Sequence, residues 1–170
     1  MIQSDRLLHP TQELSTYGSA ELLAIAKDLT PSARSWPGMA QPTRRTWDLM
    51  AASDGFEAWV ISWPPGGNIQ LHDHGESAAV VVVASGLLME TTLAELDSGG
   101  IDIKTTVLTS GHSVTVAPYR VHDVANLGAV PAISVHVYAP RLTAMTYYHV
   151  MGGHLQANHT VSYAPGEAMP

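Results

Sequence analysis

The chain has 170 residues, of which 45% are hydrophobic and 14% are charged, and this size and composition indicate one globular domain with a single core. Fifteen acidic and eight basic residues give a formal net charge of -7, which argues against nucleic acid or an anionic membrane surface as a partner. The absence of cysteine excludes disulfides, zinc–thiolate sites, iron–sulfur clusters and a thiol nucleophile, so any bound metal must use histidine and oxygen ligands.

The sequence also argues against membrane targeting. Met1 to Pro10 contains no apolar run after a basic stretch, so it is not typical of a signal peptide. No stretch approaches the roughly 18 to 20 apolar residues that a helix needs to span a bilayer. We therefore predict a cytoplasmic protein with no membrane partner.

One helix is predicted near the amino terminus. Apolar residues recur near helical spacing from Ser19 to Leu29, with Ser19 as a possible cap. Pro31 is expected to end this helix, and the prolines and glycine that follow as far as Pro42 predict an irregular connection.

The sequence then changes to short runs rich in Val, Ile, Trp and Thr, separated by Gly, Pro, Asp and Asn, which is typical of an all-β sandwich or barrel. The predicted strands are Arg45–Met50, Glu57–Trp63, Ala78–Ala84, Leu87–Leu96, Lys104–Leu108, Ser113–Val116, His122–Asn126 and Ala132–Ala139. We divide the chain into an N-terminal helical and irregular segment (1–43), a β domain (44–148) and a polar C-terminal tail (149–170), which we expect to be loosely held.

The most informative segment is a Pro/Gly turn followed by His72 and His74. Residues i and i+2 of a strand face the same side, so both imidazoles can approach one metal ion. His122, which opens a later predicted strand, is the best candidate for a third ligand.

The spacing around these histidines matches the first cupin motif, except that Ala79 stands where the motif has glutamate. The positions that carry this match are Gly66, His72, His74, Ala79 and Gly86. A shortened second motif follows, with Gly111, Pro118, His122 and Asn126. A site of three neutral histidines is an unusual variation on the iron site of two histidines and one carboxylate.

Ser134, His136 and Tyr138 alternate along the strand predicted for 132–139, so they share one face. With the three histidines, this pattern resembles the cysteine dioxygenase family of thiol dioxygenases, over roughly Arg44 to Tyr148. The resemblance implies an all-β fold, a cupin β-barrel or double-sheet jelly roll after a short N-terminal helix. It also implies that Fe(II) binds to His72, His74 and His122, and that a small thiol reacts with O2 to give a sulfinate.

The resemblance further implies roles for other residues. Tyr138 would hydrogen-bond to oxygen or to the acidic end of the substrate, His136 would orient the phenol, and Ser134 would fix the His136 tautomer. The family's cysteine that crosslinks to the tyrosine corresponds to Ala79, so no thioether can form. An arginine is expected to pair with the substrate carboxylate, and Arg44 and Arg45 are the candidates; Trp63 could line the pocket.

Other interpretations stay open from the sequence. The same barrel could be a metal-binding sensor of small molecules, or another metal-dependent cupin enzyme such as an isomerase or a dioxygenase acting on carbon. His136 and Tyr138 could be core residues. The sequence leaves open the oligomeric state and the choice among cysteine, 3-mercaptopropionate and related mercapto acids.

Overall fold

The computed structural model describes residues 17–39, 43–164 and 167. In this part of the chain one helix precedes eleven strands. The elements are α1 (Ser19–Ala33), β1 (Thr46–Ala52), β2 (Glu57–Trp63), β3 (Asn68–Asp73), β4 (Ala78–Ser85), β5 (Leu87–Glu95), β6 (Ile101–Thr109), β7 (Ser113–Val116), β8 (Val121–Ala125), β9 (Ala132–Ala139), β10 (Ala144–Met151) and β11 (His154–Ser162).

The strands form two antiparallel sheets that pack face to face. The first sheet has the strand order β1-β2-β9-β4-β7, and the second has the order β11-β10-β3-β8-β5-β6. Both sheets contribute to one apolar cluster, with Trp59 and Val83 from the first sheet and Leu88 and Val124 from the second. The predicted all-β fold with a short N-terminal helix is confirmed.

The first sheet is covered on both faces. Every residue of β2 and β9 is buried. The outer face packs against α1, where Leu22 and Ala26 join Val80 and Val135 in a second apolar cluster. This double burial explains why the sequence of β4 is a nearly continuous apolar run instead of an alternating one.

The alternation along β9 separates two environments. Val135 and Val137 belong to the cluster under α1, whereas His136 and Tyr138 line a pocket between the sheets. Since successive side chains of a strand point to opposite faces, one strand both anchors the helix and carries polar groups into the interior.

The helix differs from its prediction at both ends. Gly18 is the N-cap in place of Ser19, and the Gly18 N–H donates to the Glu21 carboxylate at 2.7 Å. The helix continues through Pro31 to Ala33, so the expectation that Pro31 ends it is wrong. Proline has a helical φ and removes only one N–H donor, and the continued turn buries Ala33 completely against the sheet.

Three strands of the structure were not among the predicted strands. One is β3, although the expected approach of His72 and His74 to one metal ion assumed that both lie on a strand. The other two, β10 and β11, form a hairpin with a turn at Gly152 and Gly153, and β10 also pairs with β3. The segment from 149 to 162 is therefore part of the second sheet, and its expected loose attachment is wrong.

The polar sequence of this hairpin has a physical reason. β11 is an edge strand and is exposed at most positions, so it needs few apolar residues. The boundaries of the three chain segments stay predictions. Residues 1–16 and 40–42 of the N-terminal segment, and 165, 166 and 168–170 of the tail, lie outside the described residues.

Gly86, one of the motif glycines, is required by both conformation and space. Its φ is +79°, and a Cβ at this position would lie 2.7 Å from the Ala132 Cα. Glycine therefore lets β4 turn into β5 directly against the start of β9.

A search of the described residues for membrane-spanning helices finds none with the length and apolarity to cross a bilayer.

Candidate metal centre

His72, His74 and His122 meet in the interior of the protein. His72 on β3 and His122 on β8 are direct cross-strand partners, and His74 follows β3 immediately. The Nε2 atoms of His72 and His74 are 3.1 Å apart, and those of His74 and His122 are 3.4 Å apart. Within the described ranges, these three side chains are the one group that could hold a metal ion, and all three are buried.

The outer ring nitrogens of two of these histidines have partners that fix the tautomer. His72 Nδ1 lies 2.7 Å from the Gln70 carbonyl oxygen, and His122 Nδ1 lies 2.9 Å from Glu90 Oε1. A carbonyl oxygen and a carboxylate accept hydrogen bonds, so Nδ1 carries the proton in each ring. In the neutral ring, Nε2 then keeps its lone pair and points toward the other two histidines.

Burial keeps the His72 and His74 imidazoles neutral. Loss of solvation lowers the pKa of both well below the ordinary value, and the neighbouring histidines lower it further. A neutral imidazole is the form that binds metals. The electrostatics of the site therefore favour the state in which the histidines can act as ligands.

The donor set fits a metal ion. Imidazole nitrogens bound at about 2.1 Å from one metal lie about 3.0 to 3.4 Å apart for right-angle to tetrahedral geometry, which agrees with the two short Nε2 separations. A cation between the three rings would interact favourably with all three Nε2 lone pairs. The buried His74 Nδ1 has no hydrogen-bond partner among the described residues, so no contact holds the His74 proton away from Nε2 or from a metal bound there.

Asp73 holds the turn that carries His74. One carboxylate oxygen of Asp73 accepts the Gly75 N–H at 2.8 Å, and the other accepts the Tyr148 hydroxyl at 2.6 Å. Gly75 has a φ of +56°, a left-handed conformation that glycine adopts without strain. Tyr148 lies on β10, so the C-terminal hairpin is tied to the turn that carries His74.

A chain of hydrogen bonds runs along the inward face of β9. Trp63 Nε1 donates to Ser134 Oγ at 2.9 Å, Ser134 Oγ lies 2.9 Å from His136 Nε2, and His136 Nδ1 lies 3.3 Å from the Tyr138 hydroxyl. All four side chains are buried. Sequence analysis predicted the last three members, while the donor Trp63 was expected only as a pocket wall.

Trp63 fixes one end of this chain. An indole N–H can only donate, so Ser134 accepts from Trp63 and keeps its own proton for a second hydrogen bond. His136 is neutral, because burial lowers its pKa to about 3, so it carries one ring proton. In the tautomer with this proton on Nδ1, Ser134 donates to Nε2 and Nδ1 donates to the Tyr138 oxygen, which leaves the Tyr138 hydroxyl proton available for another acceptor. Burial raises the pKa of Tyr138, so this hydroxyl keeps its proton.

The three histidines, His136 and Tyr138 line one small pocket. The remaining wall consists of Arg45, Ile61, Trp63, Ile69, Val124 and Met145. Tyr138 lies against the metal site, with its ring centroid 5.0 Å from that of His74.

The structure separates the two arginines considered for substrate binding. Arg45 lines the pocket, with its guanidinium carbon 5.4 Å from the Trp47 ring centroid and 5.5 Å from the Trp63 ring centroid. Arg44 is exposed and does not line the pocket. Burial lowers the pKa of Arg45, although a guanidinium stays charged at neutral pH.

Glu90 is the main residue of the site that sequence reasoning missed. It lies on β5, paired with Val124, and is therefore diagonal to His122 across the strand pair. No local pattern marks such a residue, because its contact with His122 depends on the register between β5 and β8. The apolar wall residue Met145 lies on β10, which was also not predicted.

Two kinds of comparison relate this chain to known proteins. A family model described as cysteine dioxygenase type I matches residues 15–150. The matched range contains the three histidines, the hydrogen-bonded chain of β9 and Arg45.

Solved structures show the fold. The cupin domain of Schizosaccharomyces pombe Cnp3 has a TM-score of 0.51 at 13% identity, over 61% of this chain and 66% of that chain. A Klebsiella pneumoniae protein with a double-stranded β-helix domain has a TM-score of 0.50 at 23% identity, over 60% and 79% of the two chains. Recombinant oxalate oxidase in complex with glycolate has a TM-score of 0.54 at 19% identity, over 65% of this chain. The chain spans 58% and 54% of the length of two oxalate oxidase structures that it matches. The predicted cupin fold is confirmed.

The buried neutral histidines predict a pH-dependent stability of the metal-free protein. The folded-state pKa values of His72, His74 and His136 lie below about 6.5, the value in an unfolded chain. As the pH falls below about 6.5, the unfolded state binds more protons, so the free energy of unfolding decreases by about 1.4 kcal/mol per pH unit for each such histidine.

Urea unfolding of metal-free protein at pH 7.5, 6.5 and 5.5 measures this dependence. The His136→Gln variant should lose stability less steeply than wild type, whereas substitution of the exposed His112 by glutamine should leave the slope unchanged. Equal slopes for wild type and His136→Gln would contradict the prediction.

Proposed function

The chain belongs to the cysteine dioxygenase type I family, and we propose on this basis that it is a mononuclear non-haem iron thiol dioxygenase. Its substrates would be a small thiol and O2, and its product a sulfinate. The observation that carries the proposal is the position of Tyr138, which lines the same pocket as the three histidines.

The proposed reaction adds both atoms of O2 to one sulfur. The S–H bond and the O–O bond break, two S–O bonds form, the sulfur loses four electrons and O2 gains them, and one proton is released as the sulfinate forms. His72, His74 and His122 would hold Fe(II), which supplies the redox chemistry that joins the thiolate and O2. The three imidazoles add no negative charge, so the anionic thiolate meets no repulsion from the ligand set.

Tyr138 would donate a hydrogen bond to the reacting groups. With the His136 proton on Nδ1, the chain from Trp63 through Ser134 and His136 would leave the Tyr138 proton available for these groups. The hydroxyl therefore needs no reorganisation when negative charge develops on oxygen, which is the condition under which one donor contributes most to rate.

Arg45 would bind a carboxylate of the thiol substrate. Its guanidinium is half-buried in the pocket wall, and the planar fork of a guanidinium matches the two oxygens of a carboxylate. None of the described residues that line the pocket is Asp or Glu, so a substrate ammonium group would find no counter-charge. The pocket thus favours a mercapto acid over cysteine.

Two other functions would use the same fold: a metal-binding sensor without turnover, and a cupin enzyme that acts on other substrates. The likeness to oxalate oxidase concerns the fold alone. The aligned hydrogen-bonded chain ending at Tyr138 favours catalysis, because ligand sensing requires no hydroxyl held ready for developing charge.

The first test is oxygen consumption by anaerobically prepared, Fe(II)-loaded protein with a panel of small thiols, with metal content and products measured together. We expect one iron per chain, one O2 consumed per thiol, and a sulfinate. His122→Ala removes a ligand and should weaken iron binding by more than the factor of about 10 to 100 that is typical for loss of a residue behind a ligand. His112→Ala is the matched control and should bind iron as wild type does. Full iron occupancy without oxygen consumption for any thiol would support the sensor.

The second prediction concerns Tyr138→Phe, which removes the hydroxyl and keeps the ring. The rate per bound iron should fall about 10- to 1000-fold, because one oriented donor is lost at the reacting atoms. Iron content and melting temperature should change little. Tyr119→Phe, at an exposed tyrosine, is the control. An unchanged rate accompanied by a stability loss of about 1 kcal/mol would indicate a purely structural hydroxyl.

The third prediction concerns Arg45→Met, which keeps an unbranched side chain and removes the charge. For a mercapto acid, kcat/KM should fall about 10- to 100-fold, the usual effect of losing a charged hydrogen bond. For the uncharged amide of the same thiol, kcat/KM should fall little. The Arg44→Met variant should behave as wild type with both substrates. Equal losses for the acid and the amide would contradict the role of Arg45 as a carboxylate partner.

A further inference from the structure

Glu90 contacts the candidate metal centre from outside. Its Oε1 lies 2.9 Å from His122 Nδ1, and the exposed fractions of the two residues are 5% and 1%. Nδ1 and Nε2 lie on opposite sides of an imidazole ring, so Glu90 is held behind His122 and is not a member of the group of potential ligands. Of the three histidines, His122 is the one whose outer nitrogen faces a carboxylate.

The pairing register between β5 and β8 places Glu90 next to His122. Thr92 on β5 is directly opposite His122 on β8, and Glu90, two residues earlier, is on the same face. Diagonal neighbours of this kind are within reach of long side chains. The contact is therefore fixed by backbone pairing and does not depend on a mobile loop.

Glu90 is one of three buried carboxylates among the described residues, with Glu57 and Asp73. It is the one of these three that contacts a ring nitrogen of a candidate metal ligand. Ala79 occupies the position where the cupin motif has glutamate, so the carboxylate of Glu90 acts on the metal position through His122 and not directly. Glu90 also lines a separate cavity, whose wall includes Lys104 and Arg120.

We propose that Glu90 is a positioning residue that orients His122 and increases its strength as a metal ligand. A carboxylate that accepts the Nδ1 proton fixes the ring orientation and the tautomer, and it makes the opposite nitrogen more basic. The ligand then binds divalent metal more tightly and stabilises the oxidised metal relative to the reduced metal. This inference rests only on the metal-binding part of the proposed function.

The test measures affinity for Co(II) alone, by competition with a chelator in the full-length protein. Glu90→Gln keeps the size and an acceptor oxygen but removes the charge, whereas Glu90→Leu removes both. We expect about 10- to 100-fold weaker Co(II) binding for Glu90→Leu and a smaller loss for Glu90→Gln, since removal of such outer partners typically has this effect. The iron-loaded Glu90→Gln protein should show a more positive Fe(III)/Fe(II) potential than wild type.

Asp123→Asn is the matched control. This substitution removes the carboxylate of the residue that follows His122. The Asp123 side chain lines a groove on the other side of β8. Its Co(II) affinity should stay within twofold of wild type. Equal weakening by Asp123→Asn would show a general charge effect and overturn the proposal.

Unfolding of the metal-free variants measures how much Glu90 stabilises the fold, separately from its effect on metal affinity. If Glu90→Gln binds Co(II) within twofold of wild type, with an unchanged potential, the proposal is overturned even when Glu90→Leu is too unstable to study. The two proposals also fail separately: a protein whose Co(II) affinity depends on Glu90 but that oxidises no thiol would refute the dioxygenase function alone.

Discussion

The structure depends on the burial of three imidazoles whose Nε2 atoms converge on one point. This arrangement is unfavourable for an empty protein interior, because the buried ring nitrogens lose their hydrogen bonds to water and the converging nitrogens repel one another wherever no proton lies between them. The surrounding contacts serve to maintain it. The Gln70 carbonyl and the Glu90 carboxylate hold protons on the outer nitrogens of two rings, and Asp73 fixes the turn that carries the third. A cation at the centre would replace the repulsion by three favourable interactions.

The first sheet supplies the rigid support that such a site needs. Because α1 covers its outer face, β9 is anchored by Val135 and Val137, and the intervening positions can hold polar side chains without loss of the core. Ser134 and His136 then find their partners along β9 and in Trp63 of the neighbouring β2. A chain of polar groups that is fully hydrogen-bonded adds rigidity, whereas a partly bonded one would destabilise the interior.

Local rules predicted much of this arrangement. The two-residue spacing of His72 and His74, and the alternation from Ser134 to Tyr138, both follow from the period of a strand, and the structure places these groups together. Features that depend on long-range register could not be predicted. Glu90 meets His122 because β5 pairs with β8, and β11 needs few apolar residues because it is an edge strand. Pro31 was misjudged because tertiary packing of Ala33 outweighs the lost hydrogen bond.

The distribution of charge links the site to its proposed substrate. The inner surface of the pocket carries imidazoles and one cationic side chain, Arg45. The carboxylate that contacts a candidate metal ligand, Glu90, lies behind His122. A divalent metal would make the pocket strongly positive on its inside. A substrate with a thiolate and a carboxylate carries two negative charges, one for the metal and one for Arg45, and so balances this surface better than a zwitterionic thiol. The position of the Glu90 carboxylate behind His122 would therefore leave both positive positions of the pocket, the metal and Arg45, to the two negative charges of such a substrate.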